Sequence, residues 1–321
     1  MSASWLARPA VRRVLTIACT AGAFAYLFSI VDVRELWTAL RTVSFAAWLS
    51  ALALCATSIG CGVARWWLLF RAFGAPRPPA FSELVRHYMT GLFYNTYLPG
   101  GVSGDVVRGL LTQRAFEPGS AGGFASVFFE RVLGVCALLG LVASAMLLHP
   151  LPGTAALRWP LLLAFAVGLC VTAGLLSFGR LTRVVPAALA RQLARLPVPR
   201  AIAPLALGLG LSFGSQLAPA VCGHLLLSSI YAPVALLDSL TIVPLSTAAA
   251  FLPFSISGAG VRETVFVELY ARVGVPAQAA LAASLSLWAA QATLAALVGL
   301  YVLLGRAARA AVPSPDRQPP G

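Results

Sequence analysis

The stretch LPGGVSGDVVR, residues 98–108, has a near copy later in the same chain, LPFSISGAGVR at residues 252–262. Leucine, proline, serine, glycine, valine and arginine recur at six matching positions, and a seventh holds valine in one copy and isoleucine in the other. Each copy places helix-breaking residues and an arginine in apolar surroundings. A phrase repeated 154 positions apart predicts a chain built from two related halves.

The composition predicts an all-α polytopic membrane protein. Of 321 residues 59% are hydrophobic and only 10% are charged, where soluble domains carry about 25%. Apolar runs of about 20 residues recur, which is the length that crosses a bilayer core. The net charge of +13 comes entirely from arginine, and cytoplasmic loops and anionic headgroups account for it. We therefore expect no nucleic-acid partner.

Two kinds of apolar segment organise the chain. The long segments lie near 14–31, 44–70, 120–148, 158–178, 203–230 and 276–305. Two shorter ones, near 82–97 and 236–251, each lead into a copy of the repeated stretch. Sixteen helical residues reach only about 24 Å, short of a full crossing. The sequence therefore predicts about six full transmembrane helices plus two re-entrant, broken helical hairpins. Eight full spans remain the alternative.

The segments repeat in the order helix, helix, hairpin, helix. Repeat one covers about 14–148 and repeat two about 158–305, with corresponding segments starting 144 to 159 positions apart. Three crossings per half would invert the second half relative to the first. Arginines concentrate on one side if both termini are cytoplasmic, as the positive-inside rule requires. We expect one transmembrane domain over 1–311 and a disordered, proline-rich tail at 312–321.

The repeated stretch combines groups that suit a phosphate. In each copy the serine can cap the helix that follows, and the adjacent glycine lets the chain turn. The new helix presents N–H groups, and Arg108 and Arg262, five residues after the serine, can point back toward them. A forked guanidinium with backbone donors binds phosphate well. The alternative is that each arginine only ties a helix end to the bundle.

A second charged pair lies about a third of the way into the segment 120–148. Glu130 continues a stripe of small residues, so it should face protein, where it could meet Arg108 or Arg262. A purely structural salt bridge is the alternative. Arg65, beside two tryptophans, is expected to anchor a helix at the membrane interface. The predicted substrate-binding residues are Ser103, Gly104, Asp105, Arg108, Glu130, Arg131, Ser257, Gly258, Arg262 and Glu263. The predicted hinge residues are Pro99, Gly101, Pro253 and Gly260.

Three motifs in order, YNTYLPGGVSGDVVRG, SVFFERVLG and LPFSISGAGVRE, resemble the lysylphosphatidylglycerol synthase transmembrane region, also called the flippase-like domain. The resemblance covers nearly the whole chain. It implies an integral inner-membrane protein of bacteria with re-entrant elements. Its best-known members move an aminoacylated phospholipid between leaflets, and others are linked to polyprenyl-phosphate-sugar or hopanoid pathways. Bifunctional members carry a C-terminal aminoacyl-transferase domain, whereas this chain ends soon after its last apolar segment.

These features predict a lipid translocator that moves a phosphate-containing headgroup between leaflets. Its expected partners are a membrane phospholipid or polyprenyl-phosphate-linked lipid, a second copy in a homodimer, and a separate lipid-modifying enzyme. The alternatives are a secondary transporter of a soluble anion, a membrane-embedded transferase acting on a lipid-linked substrate, and a non-transport accessory role. No catalytic residue, metal ligand or cofactor is predicted.

Overall fold

The computed structural model describes residues 9–98, 102–118, 120–176, 200–201, 203–231, 234–250 and 258–310, which are entirely helical apart from connecting turns and loops. Two short 3-10 turns accompany the α-helices. The α-helices are α1 (Pro9–Ile30), α2 (Val33–Thr42), α3 (Phe45–Ala72), α4 (Phe81–Tyr97), α5 (Ser103–Thr112), α6 (Gly122–Leu148), α7 (Arg158–Leu176), α8 (Ala203–Ile230), α9 (Leu236–Ala250), α10 (Val261–Ala271) and α11 (Ala277–Ala310).

The predicted all-α membrane fold is confirmed. Each of the six long apolar segments forms one helix, namely α1, α3, α6, α7, α8 and α11. By length and composition, four helices can cross a membrane (α3, α6, α8 and α11), and α1 with α2 makes a fifth if the bent pair is one span. Two further helices are apolar but shorter than the length required of a span: α9, and α7 when only its described side chains are counted. Among the described residues there are therefore four or five candidate spans, where the sequence predicted about six.

The first two helices are separated by a sharp bend of 86°. The break follows from Asp32, whose side chain accepts hydrogen bonds from the backbone N–H groups of Arg34 (2.7 Å) and Glu35 (3.3 Å) and so starts a new helix. Trp37 on α2 is 57% exposed, and the guanidinium of Arg41 lies 4.9 Å from its ring centre. An amphipathic helix turned away from the spanning direction, with aromatic and basic residues exposed, is typical of the membrane interface.

The centre of the bundle is the pair α3 and α8, the two most closely associated helices. These are the corresponding long helices of the two predicted repeats. Ser58 on α3 donates a hydrogen bond to the backbone carbonyl of Ser215 on α8 (2.8 Å), which ties the two helices at mid-length. The fully buried Trp66 and Phe70 pack toward the other side of α3, with ring centres 5.6 Å apart. The pair thus forms the scaffold around which the other helices are arranged.

Each short helix is followed by a second short helix that packs against it, α4 by α5 and α9 by α10. Each of these short pairs also contacts the other predicted half: α4 contacts α11, and α9 contacts α6. Two related halves would be expected to give this pattern, since each short pair meets the last long helix of the other predicted half. Inversion of one half relative to the other stays a prediction. Pro99, Gly101, Pro253, Ser257 and the tail 312–321 lie outside the described residues.

Candidate functional site

Five charged side chains meet where α3, α5 and α6 come together, and we call them the charge cluster. The cluster comprises Arg65, Asp105, Arg108, Glu130 and Arg131. The Glu130 carboxylate is its centre: one oxygen pairs with Arg65 Nη2, and the other lies 3.2 Å from Arg108 Nη1. Glu130 is only 2% exposed. Glu130 thus faces protein as predicted, and of its two predicted partners it contacts Arg108, whereas Arg262 pairs with Glu263.

Asp105 connects Arg131 to the cluster. Its two carboxylate oxygens accept hydrogen bonds from Arg131 Nε (2.9 Å) and Nη2 (2.8 Å), a bidentate pairing. The same carboxylate lies 3.5 Å from Arg108 Nη1 and 3.3 Å from the side-chain amide nitrogen of Asn95. The Arg131 side chain is 40% exposed. Neighbouring residues of α6 therefore have different surroundings: Glu130 is enclosed, and Arg131 is accessible.

Arg108 is enclosed by aromatic rings as well as by carboxylates. Its guanidinium carbon lies 4.1 Å from the ring centre of Trp66 and 4.3 Å from that of Tyr88. The residue is 3% exposed, and its Nε and Nη2 atoms are buried without a hydrogen-bond partner. Cation–π contact stabilises such a desolvated guanidinium. In this conformation Arg108 is therefore a packed component of the bundle.

The prediction that Arg65 anchors α3 at the membrane interface is wrong. Arg65 is 6% exposed and pairs with Glu130. Its Nη1 atom donates to the hydroxyls of Ser212 (3.0 Å) and Ser215 (3.3 Å) on α8. The buried partners lie 65 and about 150 positions away along the chain, so the local sequence carried no sign of them. Arg65 thus joins the charge cluster to the second half of the chain.

The hydrogen bonds at the start of α5 differ from those predicted. Ser103 does not cap the helix, because its hydroxyl donates to the backbone carbonyl of Tyr94 (3.2 Å). The backbone N–H of Gly104 instead donates to the side-chain oxygen of Asn95 on α4 (2.8 Å). One donor that was expected to face an anion is therefore occupied by a neighbouring helix. Asn95 was missed by sequence reasoning, although the polar pair NT before the break was a visible signal.

The start of α10 carries its own counter-charge. Gly258 and Gly260 have φ angles of 79° and 83°, a region that favours glycine, so the turn depends on them. One oxygen of the Glu263 carboxylate accepts a hydrogen bond from the Gly260 N–H (2.8 Å), and the other pairs with Arg262. As at α5, one backbone N–H group at the helix start already has a hydrogen-bond partner. Any anion at this site would depend on the guanidinium groups more than on free backbone donors.

One cavity of about 590 Å³ reaches both halves of the chain. Its charged lining consists of Arg65, Glu130 and Arg131 from the first half, and Arg262 and Glu263 from the second. Uncharged polar side chains complete the wall: Ser58, Tyr88, Asn95, Thr96, Ser215, Gln216, Thr247 and Gln291. With arginines protonated and carboxylates ionised, the described wall has a net charge of +1. Most of the remaining lining is apolar, so these charged and polar side chains mark the part of the cavity that is suited to a ligand with a negative charge. We call the whole space the polar cavity.

The predicted site residues fall into two groups. Glu130, Arg131, Gly258, Arg262 and Glu263 line the cavity. Ser103, Gly104, Asp105 and Arg108 are not among the described lining residues. Asp105 and Arg108 pair with Arg131 and Glu130 and position them, whereas Ser103 and Gly104 bond to α4. Ser257 lies outside the described residues. The structure thus brings the two halves together at one chamber, with Arg131 rather than Arg108 as the accessible cation from the first half.

The comparison with protein families gives a match over almost the whole chain. The model for the lysylphosphatidylglycerol synthase TM region covers residues 13–311. The comparison with curated proteins found no match. The matched region contains both hairpins, the charge cluster and the whole cavity lining. This protein is thus a multi-pass membrane protein that belongs to the lysylphosphatidylglycerol synthase transmembrane region family.

Proposed function

We propose that this protein translocates a phosphate-bearing lipid between the two leaflets, with the headgroup passing through the polar cavity. The observation that carries the proposal is that Arg131 and Arg262, one from each half, line the same chamber within a bundle of apolar helices. Charges at this depth are costly and are retained where they serve a pathway. The lipid tails would remain in the hydrocarbon region while the headgroup crosses.

The charge of the lining favours a phosphodiester over a group with more negative charge. Three arginines and two glutamates leave one positive charge on the described wall, which a single phosphodiester would neutralise. Guanidinium forks bind phosphate oxygens with paired hydrogen bonds. The side chains of Gln216 and Gln291 offer further donors at the same wall. The volume of about 590 Å³ lies within the range of about 300–1,000 Å³ that small-molecule sites occupy.

Exchange of partners supplies a route for binding and release. Arg131 is held by Asp105, and Arg262 by Glu263, so each cation already has a carboxylate before the ligand arrives. An incoming phosphate can share these cations without leaving any charge unpaired when it departs. Such exchange favours passage over tight retention, because Arg131 and Arg262 each have a carboxylate partner to return to when the phosphate leaves.

We also propose a location, an orientation and an assembly for the protein. It lies in the bacterial inner membrane, with both termini cytoplasmic, in agreement with the arginine distribution. It transports and does not catalyse, and a separate enzyme modifies the lipid. A homodimer is the proposed assembly.

The test is lipid transfer in reconstituted vesicles. Fluorescent phosphatidylglycerol in the inner leaflet is followed as it becomes accessible to an added quencher, with Arg131→Gln, Arg262→Gln and the double variant. Loss of a hydrogen bond to a charged group should slow transfer by about tenfold or more for each variant. Arg86→Gln is the matched control, because Arg86 is exposed on α4 and is not among the lining residues.

Transfer that is unchanged in the folded double variant would remove the proposal. Uptake of inorganic phosphate or glycerol phosphate into the same vesicles, without lipid transfer, would assign the cavity to a soluble anion instead.

A further inference from the structure

A second cavity adjoins the first and has different chemistry. It has a volume of about 470 Å³ and lies between the end of α2, the start of α3 and the middle of α11. Its described lining is apolar except for one serine: Leu40, Val43, Trp48, Leu285, Ser286, Trp288 and Ala289. We call it the apolar groove. No charged side chain is among its described lining residues.

The apolar groove and the polar cavity share a wall. Leu285 and Trp288 line both spaces, so one face of α11 separates a charged chamber from an apolar one. Trp288 is 44% exposed although it lies on a helix whose neighbouring residues are mostly buried. This large, exposed aromatic side chain lies between the two open spaces, and a ligand can pass beside it.

Helix α2 forms one side of the apolar groove. It turns away from α1 by 86°, and Leu40 near its end lines the groove together with Leu285 and Ala289 of α11. The side chain of Glu35 on α2 accepts a hydrogen bond from Gln278 on α11, which ties the two helices together. The groove therefore lies between α2 and α11, next to the shared wall.

We infer that the apolar groove holds an acyl chain of the same lipid whose phosphate occupies the polar cavity. This rests on the proposed function. Adjacent polar and apolar spaces with a common wall fit one amphipathic molecule, with its charged part against Arg131 and Arg262 and a chain along Leu40, Trp48 and Ala289. Because the chain comes from hydrocarbon and not from water, the groove would stabilise it through van der Waals contact with these side chains. The protein thus recognises the lipid at both ends.

Photocrosslinking tests the inference. A phosphatidylglycerol with a diazirine near the end of one acyl chain is added to the purified full-length protein, irradiated, and the labelled peptides are identified by mass spectrometry. We expect label in the groove segments, 40–48 and 285–289. Ala289 lines the groove and is not among the lining residues of the polar cavity, so Ala289→Trp, which fills the groove, should reduce that label about tenfold. Leu297→Trp, at an exposed position of the same helix, should not.

The arginine variants separate this inference from the proposed function. If one lipid spans both sites, the amount of label in the groove should decrease in the Arg262→Gln variant. If the amount of label in the groove is unchanged in the Arg131→Gln, Arg262→Gln double variant, the link between groove and cavity is overturned. Label spread evenly over lipid-facing helices in the unaltered protein overturns the groove itself, even if Ala289→Trp does not fold. Neither result depends on whether lipid transfer is observed.

Discussion

Gly91 on α4 and Gly104 on α5 contact each other backbone to backbone, so that a Cβ atom on Gly104 would overlap the carbonyl oxygen of Gly91. The two helices of the first hairpin approach this closely only because both positions lack a side chain. We predict that Gly104→Ala destabilises the folded protein by about 1–3 kcal/mol, the usual cost of overpacking. The melting temperature in detergent measures it.

The matched control for that variant is Gly60→Ala. Gly60 lies within α3, where a Cβ atom meets nothing within 4 Å, so alanine should be neutral or stabilise by up to about 1 kcal/mol. Equal melting temperatures for the two variants would contradict the close packing of α4 on α5.

The second prediction concerns the centre of the charge cluster. Glu130→Gln removes the carboxylate that Arg65 and Arg108 share and leaves two buried cations without it. Breaking a buried pair in this way typically costs about 3–5 kcal/mol. We expect a marked loss of thermal stability and of folded yield, measured by size-exclusion chromatography with heating. Glu117→Gln, an exposed position between α5 and α6, should behave as the unaltered protein does. A stable Glu130→Gln protein would show that the cluster is not structural.

The third prediction separates two arginines that the sequence could not rank. Arg108→Ala should lower stability, because Arg108 is buried against Trp66 and Tyr88 and pairs with Glu130. Arg131→Ala should leave stability nearly unchanged, because its side chain is 40% exposed and Asp105 retains Asn95 and Arg108 as neighbours. Melting temperatures, compared with lipid transfer rates, separate the two roles. If Arg108→Ala kept full stability and lost only transfer, Arg108 would have to reach the ligand in another conformation.

The fourth prediction is a pH dependence at the start of α9, outside the four helices long enough to cross the membrane. Burial raises the pKa of the Asp238 carboxyl above its ordinary value, and the imidazole of His149, 3.3 Å away, opposes that rise. A raised pKa means that the folded state holds the proton more tightly than the unfolded state. The stability this group contributes is therefore present below its ordinary pKa near 4 and lost as the pH rises through the raised value.

Asp238→Asn abolishes that titration. The melting temperature of the variant minus that of the unaltered protein should therefore increase as the pH rises from about 4 to neutrality. A pH-independent difference would contradict the proposed burial effect. Glu117→Gln, at an exposed position, provides the control across the same range.

The helices were predictable because their signal is local. Apolar runs such as 203–230 became helices with the same bounds, whereas the short amphipathic α2 was not predicted. The candidate site was only partly predictable. The repeated stretch and Glu130 indicated side chains that the structure brings together, but the different exposure of Arg108 and Arg131 depends on which side chain α3 and α4 enclose.

The misassigned residues share one cause. Arg65 beside Trp66 has the local pattern of an interface anchor, yet its partner is Glu130 on another helix. Ser103 precedes a helix as a cap would, yet Asn95 from α4 satisfies the neighbouring N–H. In both cases tertiary contacts override a local preference, and no pattern within a few residues reports them.

The buried ion pairs form within each half of the chain. Arg65, Asp105, Arg108, Glu130 and Arg131 all precede residue 132, and Arg262 pairs with the adjacent Glu263. During synthesis Glu130 can therefore meet Arg65 and Arg108 before the second half of the chain has been made. The most deeply enclosed carboxylate then does not wait in lipid for a partner that is still to be translated.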